Sequence, residues 1–449
     1  MSEKLLTIEF EELHSCKSIK GKQFVFIVKD GKEKKYKVID TKEKLSEYSL
    51  NMMNYLEKEL GLLVICKCNN ISGSFRNVIF LEEFKVDYCC NPQIDDFLYL
   101  NFQQCHFFQK IELMGGNYQE VIINNSSFQN DFFTRGSEFG SLFCTNNRFE
   151  KDMIVMNCTI EKSNTNTSKF DGNLFFDEVN ILNDFTLDKI KVNNKFNFTD
   201  CRFSGVSKFN KLEIENGGEL NFSHCSFYKM SEINFDIILG KLSIYKTNFT
   251  DKCYLEYEQL ENKKYKPLIN KSDFKKTKWN FFNVADIYKS NGKTEQYLET
   301  FYYFKKYERL ERKSNHTWRI SLLDYLIEIT TKYYTSWKRI LLSMGVIITI
   351  FFLLYCSFPN LLIYKDNPIS SKSLFVIVSE MVKNSNLDIA CLISKFGNTL
   401  YFTIITFTTV GYGDITPLNW MKAVASLESL LGIFFTSSFV VTLSRKFLG

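Results

Sequence analysis

Residues 340–358 carry no charge, and no other stretch limits the fold of this chain as strongly. As a helix the run is about 28 Å long, close to the apolar thickness of a bilayer. In hydrocarbon every backbone N–H and C=O must be satisfied within the chain, so a helix is the form such a run takes. Pro359 ends it. A second apolar run spans residues 421–443 and holds Glu428 in its interior. A carboxylate in a membrane segment is costly and normally faces protein or water. Lying roughly two turns into the helix, it is a candidate support for whatever lies between the runs. Tyr333, Tyr334 and Trp337 anchor the first run beside Lys338 and Arg339, and Arg445 and Lys446 close the second. Basic residues on these two ends predict that both termini face the cytoplasm.

Between the runs stands Thr408-Thr409-Val410-Gly411-Tyr412-Gly413-Asp414, after an uncharged stretch at 398–408 and before Pro417. Gly411 and Gly413 can take φ > 0 at little steric cost. A loop that alternates its backbone hand points successive carbonyls the same way. Carbonyls offer oxygen without a full negative charge, which suits a dehydrated cation that must bind and then leave. Thr409 adds a hydroxyl oxygen at one end. A plain glycine turn between two strands is the alternative, and the apolar flanks argue against it.

The segment Tyr401-Phe402-Thr403-Ile404-Ile405-Thr406-Phe407-Thr408-Thr409-Val410-Gly411-Tyr412-Gly413-Asp414 resembles the pore helix and selectivity filter of potassium channels. The resemblance covers residues 340–448. It implies a pore helix at 398–408 and a filter at 409–413. K+ would sit among the carbonyls of Thr409, Val410, Gly411 and Tyr412, with Gly413 completing the loop. The resemblance further implies support from Thr408 and from an aromatic cuff, Tyr401 and Phe402, with Asp414 reaching Tyr401 behind the filter. Gly432 would be a gating hinge, and Thr436 and Ser437 would line an aqueous cavity. Some members brace the filter with a carboxylate four residues before its threonine; here that position is Ile405. One filter cannot surround an ion, so a homotetramer of cyclic symmetry is expected.

The rest of the chain is different in kind. Residues 1–73 read as a cap region. Phe24-Val25-Phe26-Ile27-Val28 predicts a strand, Asp30-Gly31 a turn and Lys35-Tyr36-Lys37-Val38 the returning strand, while 42–59 has helical spacing. Residues 1–22 are charged, without the apolar core of a secretory signal. From 74 to 257 an internal echo appears. Asn101-Phe102-Gln103-Gln104-Cys105-His106-Phe107 returns as Asn197-Phe198-Thr199-Asp200-Cys201-Arg202-Phe203 and as Asn221-Phe222-Ser223-His224-Cys225-Ser226-Phe227. Looser copies are Phe75…Val78…Phe80, Ile123…Ser126…Phe128, Val155…Cys158…Ile160, Phe176…Val179…Ile181 and Ile244…Thr247…Phe249. Several neighbouring copies start 21 to 24 residues apart, whereas the step from 143 to 154 does not fit. This is similar to a degenerate, Phe-rich member of the pentapeptide-repeat family. The resemblance implies a right-handed parallel β-helix with four short sides, phenylalanines stacked up its axis and a small Cys, Ser or Thr between them.

Residues 258–316 predict a helical hairpin linker, turning at Lys289-Ser290-Asn291-Gly292-Lys293. Residues 317–337 predict an interfacial amphipathic helix, with Trp318, Leu322, Tyr325, Leu326 and Ile329 on one stripe and Arg319, Ser321, Asp324 and Glu328 away from it. The pore domain is expected at 338–449, with an outer loop from 360 to about 394. The fold class is thus multidomain: β-helix, helical linker, all-α two-span pore.

Composition excludes other classes. A net charge of +5 gives no footprint for nucleic acid, and four histidines with no nucleophile–base pair or metal-ligand spacing give none for an enzyme or a cofactor. The 13 cysteines lack a CxxC framework and read as buried free thiols; Cys66 and Cys68 are too close for a zinc knuckle and Cys89-Cys90 is a vicinal pair. The expected function is passive, selective K+ conduction across the cytoplasmic membrane. The β-helix would regulate it or dock an unidentified cytosolic ligand or protein. The rival reading is a membrane-tethered β-helix scaffold with a non-conducting pore module.

Overall fold

The computed structural model describes residues 6–9, 12, 19–40, 73–81, 83–87, 98–314, 318–384 and 389–447. The helical reading of 42–59 and Cys66, Cys68, Cys89 and Cys90 lie outside these residues. The chain divides into two compact units, Met1–Asn291 and Gly292–Gly449.

The first unit is a β-solenoid of about seven turns. One of its sheets stacks eight parallel strands, from Phe84–Asp87 and Ile111–Met114 at one end to Glu219–Ser223 and Lys241–Tyr245 at the other. Successive side chains of a strand point to opposite faces. Met153–Met156 accordingly buries Met153 and Val155 and leaves Ile154 and Met156 half-exposed. Inside, Phe80, Phe107, Phe128, Phe149 and Phe170 form a ladder with ring centroids 4.5, 4.9, 4.5 and 4.8 Å apart and planes within 4° of parallel. Val192 and Ile214 continue this column by register.

The corners explain the echo. Each rung turns at left-handed residues in two columns. One runs through Asn77, Gln104, Asn125, Asn146, Thr167, Lys189 and Lys211; the other through Gly136, Asn157, Glu178, Asp200, His224 and Lys246. Asparagine tolerates that backbone region better than most residues. The copy at 101–107 turns at Gln104 in the first column, whereas those at 197–203 and 221–227 turn at Asp200 and His224 in the second. The misfitting step is half a rung: Asn146 and Asn157 are consecutive corners on opposite columns. Behind each corner the small residue closes hydrogen bonds between rungs. Cys105 N donates to Ser126 Oγ (3.1 Å), Ser126 N to Asn147 Oδ1 (2.9 Å) and Asn147 N to Ser168 Oγ (3.2 Å). The thiols of Cys105, Cys201 and Cys225 donate to carbonyls of an earlier rung. All are buried free thiols.

Both ends of the solenoid are closed. At the start, the antiparallel hairpin Phe24–Lys29 and Lys32–Ile39, turning at Asp30-Gly31, lays Lys37–Ile39 parallel to Val78–Phe80. At the far end, after helix α1 (Glu258–Asn262), helix α2 (Phe274–Ser290) lies on the last strand. Asn280 Oδ1 accepts from Ile244 N (3.0 Å) and Ser243 Oγ (3.3 Å), and Asn283 Nδ2 donates to Ile244 O (2.5 Å). The two side chains replace the strand that would have come next.

The second unit is helical: α3 (Thr294–Ser314), α4 (Trp318–Thr331), α5 (Trp337–Ser357), α6 (Leu374–Asn384), α7 (Ile389–Phe407) and α8 (Met421–Phe447). α5, α7 and α8 are each long and apolar enough to cross a membrane. α7 starts ahead of the expected 398, and α8 runs past 443 without a break. The segment expected as an outer loop holds a strand, Leu362–Tyr364, and the helix α6. The strand pairs with Ile415–Pro417, just after the glycine loop.

Candidate functional site

The strand pairing between Leu362–Tyr364 and Ile415–Pro417 ties the end of α5 to the start of α8. α7 runs inward from this side and ends at Phe407, whose carbonyl meets Gly432 of α8; a Cβ on Gly432 would lie 1.8 Å from that oxygen. From Met421 to Gly432 is roughly 16 Å along a helix. α7 therefore stops part-way along α8, and the chain returns to Ile415 through the glycine loop.

That loop has the expected alternation. Thr409, Gly411 and Gly413 have φ of +61°, +53° and +79°, and the residues between them do not share this hand. The last carbonyls of α7 hold its start: Ile405 O accepts from Val410 N (2.9 Å) and Gly411 N (3.3 Å), and Thr406 O from Thr409 N (3.1 Å). Thr408 Oγ1 donates to Ile404 O (2.7 Å), and Thr409 Oγ1 donates to Thr408 O (2.7 Å). In the single chain Val410 and Tyr412 are 52% and 74% exposed.

Around it, Phe402 is buried and meets Tyr355 edge-on at 5.1 Å. Tyr401 is more open, and Asp414 is near enough to act on its hydroxyl. Ile405 is buried. Glu428 is fully buried and accepts from the Tyr355 hydroxyl at 2.7 Å. Gly432 sits in an unbroken helix and serves close packing against Phe407. Thr436 is half-buried with its hydroxyl bonded to Gly432 O (2.8 Å), and Ser437 is exposed. Two contacts were not foreseen from sequence: Tyr355 on Glu428, and Ser429 Oγ donating to Thr406 O at 3.1 Å.

On the side away from the outer strands, α3 grips α4. Glu328 of α4 is 8% exposed and accepts from Tyr302 (2.9 Å) and Arg309 (2.5 Å) of α3, while Arg312 pairs with Asp324 (2.8 Å). Arg339 of α5 reaches the Glu328 carbonyl (3.3 Å). Burial pushes the Tyr302 and Tyr333 hydroxyls up, Tyr333 to about 12, so both stay protonated, and Tyr302 is the one that donates to Glu328. The polar face of α4 is spent on α3, while Leu322, Leu323, Tyr325, Leu326 and Ile329 are exposed. Glu295 of α3 also meets Lys446 at the end of α8 (3.3 Å).

Residues 373–448 match a family model described as an ion channel. No curated protein and no solved structure matches the chain. The C-terminal part of the chain thus carries an ion-channel pore domain, preceded in sequence by a β-solenoid, and three helices of that part are long and apolar enough to cross a membrane.

Proposed function

We propose that this chain forms a homotetrameric, potassium-selective channel. It conducts K+ passively across the cytoplasmic membrane, with both termini cytoplasmic. Residues 409–413 form the filter, with K+ held by the carbonyls of Thr409, Val410, Gly411 and Tyr412, and the N-terminal solenoid regulates the pore or docks a cytosolic partner. The observation that carries this reading is the left-handed backbone at alternate residues Thr409, Gly411 and Gly413, since that alternation turns a strand-like loop into a row of carbonyls facing one way. The tetramer is supported by the exposure of Val410 and Tyr412, and of Leu342, Leu430 and Ile433 on the long helices: one wall of oxygens needs three more, and those apolar faces need lipid or other copies. α7 is then a re-entrant pore helix rather than a third crossing.

The test is the full chain, purified and inserted in a planar bilayer under opposed K+ and Na+ gradients. A reversal potential near the K+ equilibrium value supports the proposal. A bilayer silent across varied lipid and voltage leaves the tethered scaffold, in which the pore is an anchor only.

A further inference from the structure

The carboxylate that braces some filters has no counterpart at Ile405, yet one is buried nearby on another helix. Glu428 lies on α8, and its partner Tyr355 on α5 is also fully buried. The other carboxylate oxygen, Oε1, has no hydrogen-bond partner among the described residues. A buried, apolar cluster of Phe351, Tyr355, Phe402, Ile415, Met421 and Ala425 surrounds this bond. It draws on the first span, the pore helix, the strand after the filter and the second span together. An unpaired carboxylate in such surroundings is costly, so the bond restricts how α8 is rotated against α5.

That rotation matters because the next turn of α8 touches the end of the pore helix. Ser429, adjacent to Glu428, donates to the carbonyl of Thr406, and Gly432, one turn on, lies against the carbonyl of Phe407. These are among the last carbonyls of α7, the ones from which the glycine loop springs. Thr406 O is shared between Ser429 Oγ and Thr409 N. A turn of α8 about its axis would withdraw Ser429 and drive the helix surface into Phe407.

Resting on the conduction reading, we propose that Tyr355 and Glu428 are positioning residues of the filter. Their buried hydrogen bond sets the rotation of α8 so that Ser429 and Gly432 hold the end of the pore helix, and with it the loop at 409–413, in the conducting form. Neither residue touches the ion.

The experiment compares full-length wild type with Tyr355→Phe, Glu428→Gln and Ser429→Ala in planar bilayers of one lipid composition. The readout is the decay of current under a sustained K+ gradient, and its dependence on K+ concentration on the filter's outer side. A filter that has lost its hold empties and collapses, and K+ occupancy opposes this. Tyr355→Phe should speed the decay roughly ten- to a hundredfold, the scale of one buried hydrogen bond to a charged group. Raised outer K+ should slow it again, while the reversal potential of the initial current and the tetramer on gel filtration stay unchanged. Glu428→Gln keeps an acceptor oxygen for Tyr355 and should fall between wild type and Tyr355→Phe. Ser429→Ala should reproduce the fast, K+-sensitive decay, and it keeps the question open to measurement if Tyr355→Phe fails to assemble. A conducting wild type whose variants decay at its own rate, with its own K+ dependence, overturns this inference and leaves the conduction reading standing. A silent wild type removes both.

Discussion

At Gly411 the backbone has φ +53° and an added Cβ would find no atom within 4 Å in the single chain. The cost of alanine there is conformational, about 1–2 kcal/mol in each subunit. In the proposed tetramer four subunits would share one row of ions, so the penalty would fall four times on the same conformation. Gly411→Ala should therefore abolish K+ current while the protein still elutes as the wild-type assembly; normal selective conduction would show that this loop is not the filter. Thr409 accepts the same hand, at φ +61°, with a side chain in place, and its hydroxyl donates to Thr408 O. The lone pairs of that hydroxyl remain for an ion. Thr409→Ala should weaken Ba2+ block roughly tenfold, the loss of one ligand to a charged group worth about 1.5 kcal/mol. Unchanged block would move the innermost site elsewhere.

At the scale of elements, α2 shows how a solenoid is ended. Asn280 holds Ile244 N, Ser243 Oγ and, through Nδ2, Leu268 O at 3.0 Å, all in a buried setting. Asn280→Ala leaves these groups unpaired and should destabilise the last strand by about 2 kcal/mol. Hydrogen exchange should show faster exchange confined to residues 241–245 and α2, and protection equal to wild type would mean the cap is held by its apolar contacts instead. The sequence carried the glycine loop and the rung period because both depend on local backbone geometry. It blurred the phase of the repeat, since Phe-x-x-Cys patterns serve both corner columns and Asn146 and Asn157 look alike one half-rung apart. It carried no trace of the Tyr355–Glu428 bond or of the Leu362–Tyr364 pairing with Ile415–Pro417. Those join residues far apart in the chain through one side chain each or three-residue strands, too short for periodicity to mark. The early start of α7 escapes sequence reading for a related reason: residues 389–397 are an apolar run broken by Ser394 and Lys395, and they belong to no motif.

At the scale of the whole molecule, the question is what the solenoid does to the pore. The two units are joined at the turn containing Gly292, and α3, the first element after it, contacts the pore-bearing helices at both ends. Its contact with α8, Glu295 to Lys446, is a surface ion pair with the Glu295 side chain 76% exposed, and such pairs contribute little. Its contact with α4 is stronger in kind, because Glu328 is buried and gathers Tyr302, Arg309 and, through its carbonyl, Arg339 of α5. In chain order this junction stands between the solenoid and the first span, so a bias carried along the chain would meet it first. A bias can only shift states that already exist, by the difference in its contacts with each. Removing residues 1–291 should thus leave a K+-selective channel with altered open probability, measured in single-channel records. Glu328→Gln weakens the junction in both chains, so it should shrink the ratio of open probabilities between full-length and truncated protein toward one. If that ratio is the same with Glu328 as with glutamine, the junction transmits nothing; if it is already one in the wild type, the solenoid is a docking platform and the pore gates without it.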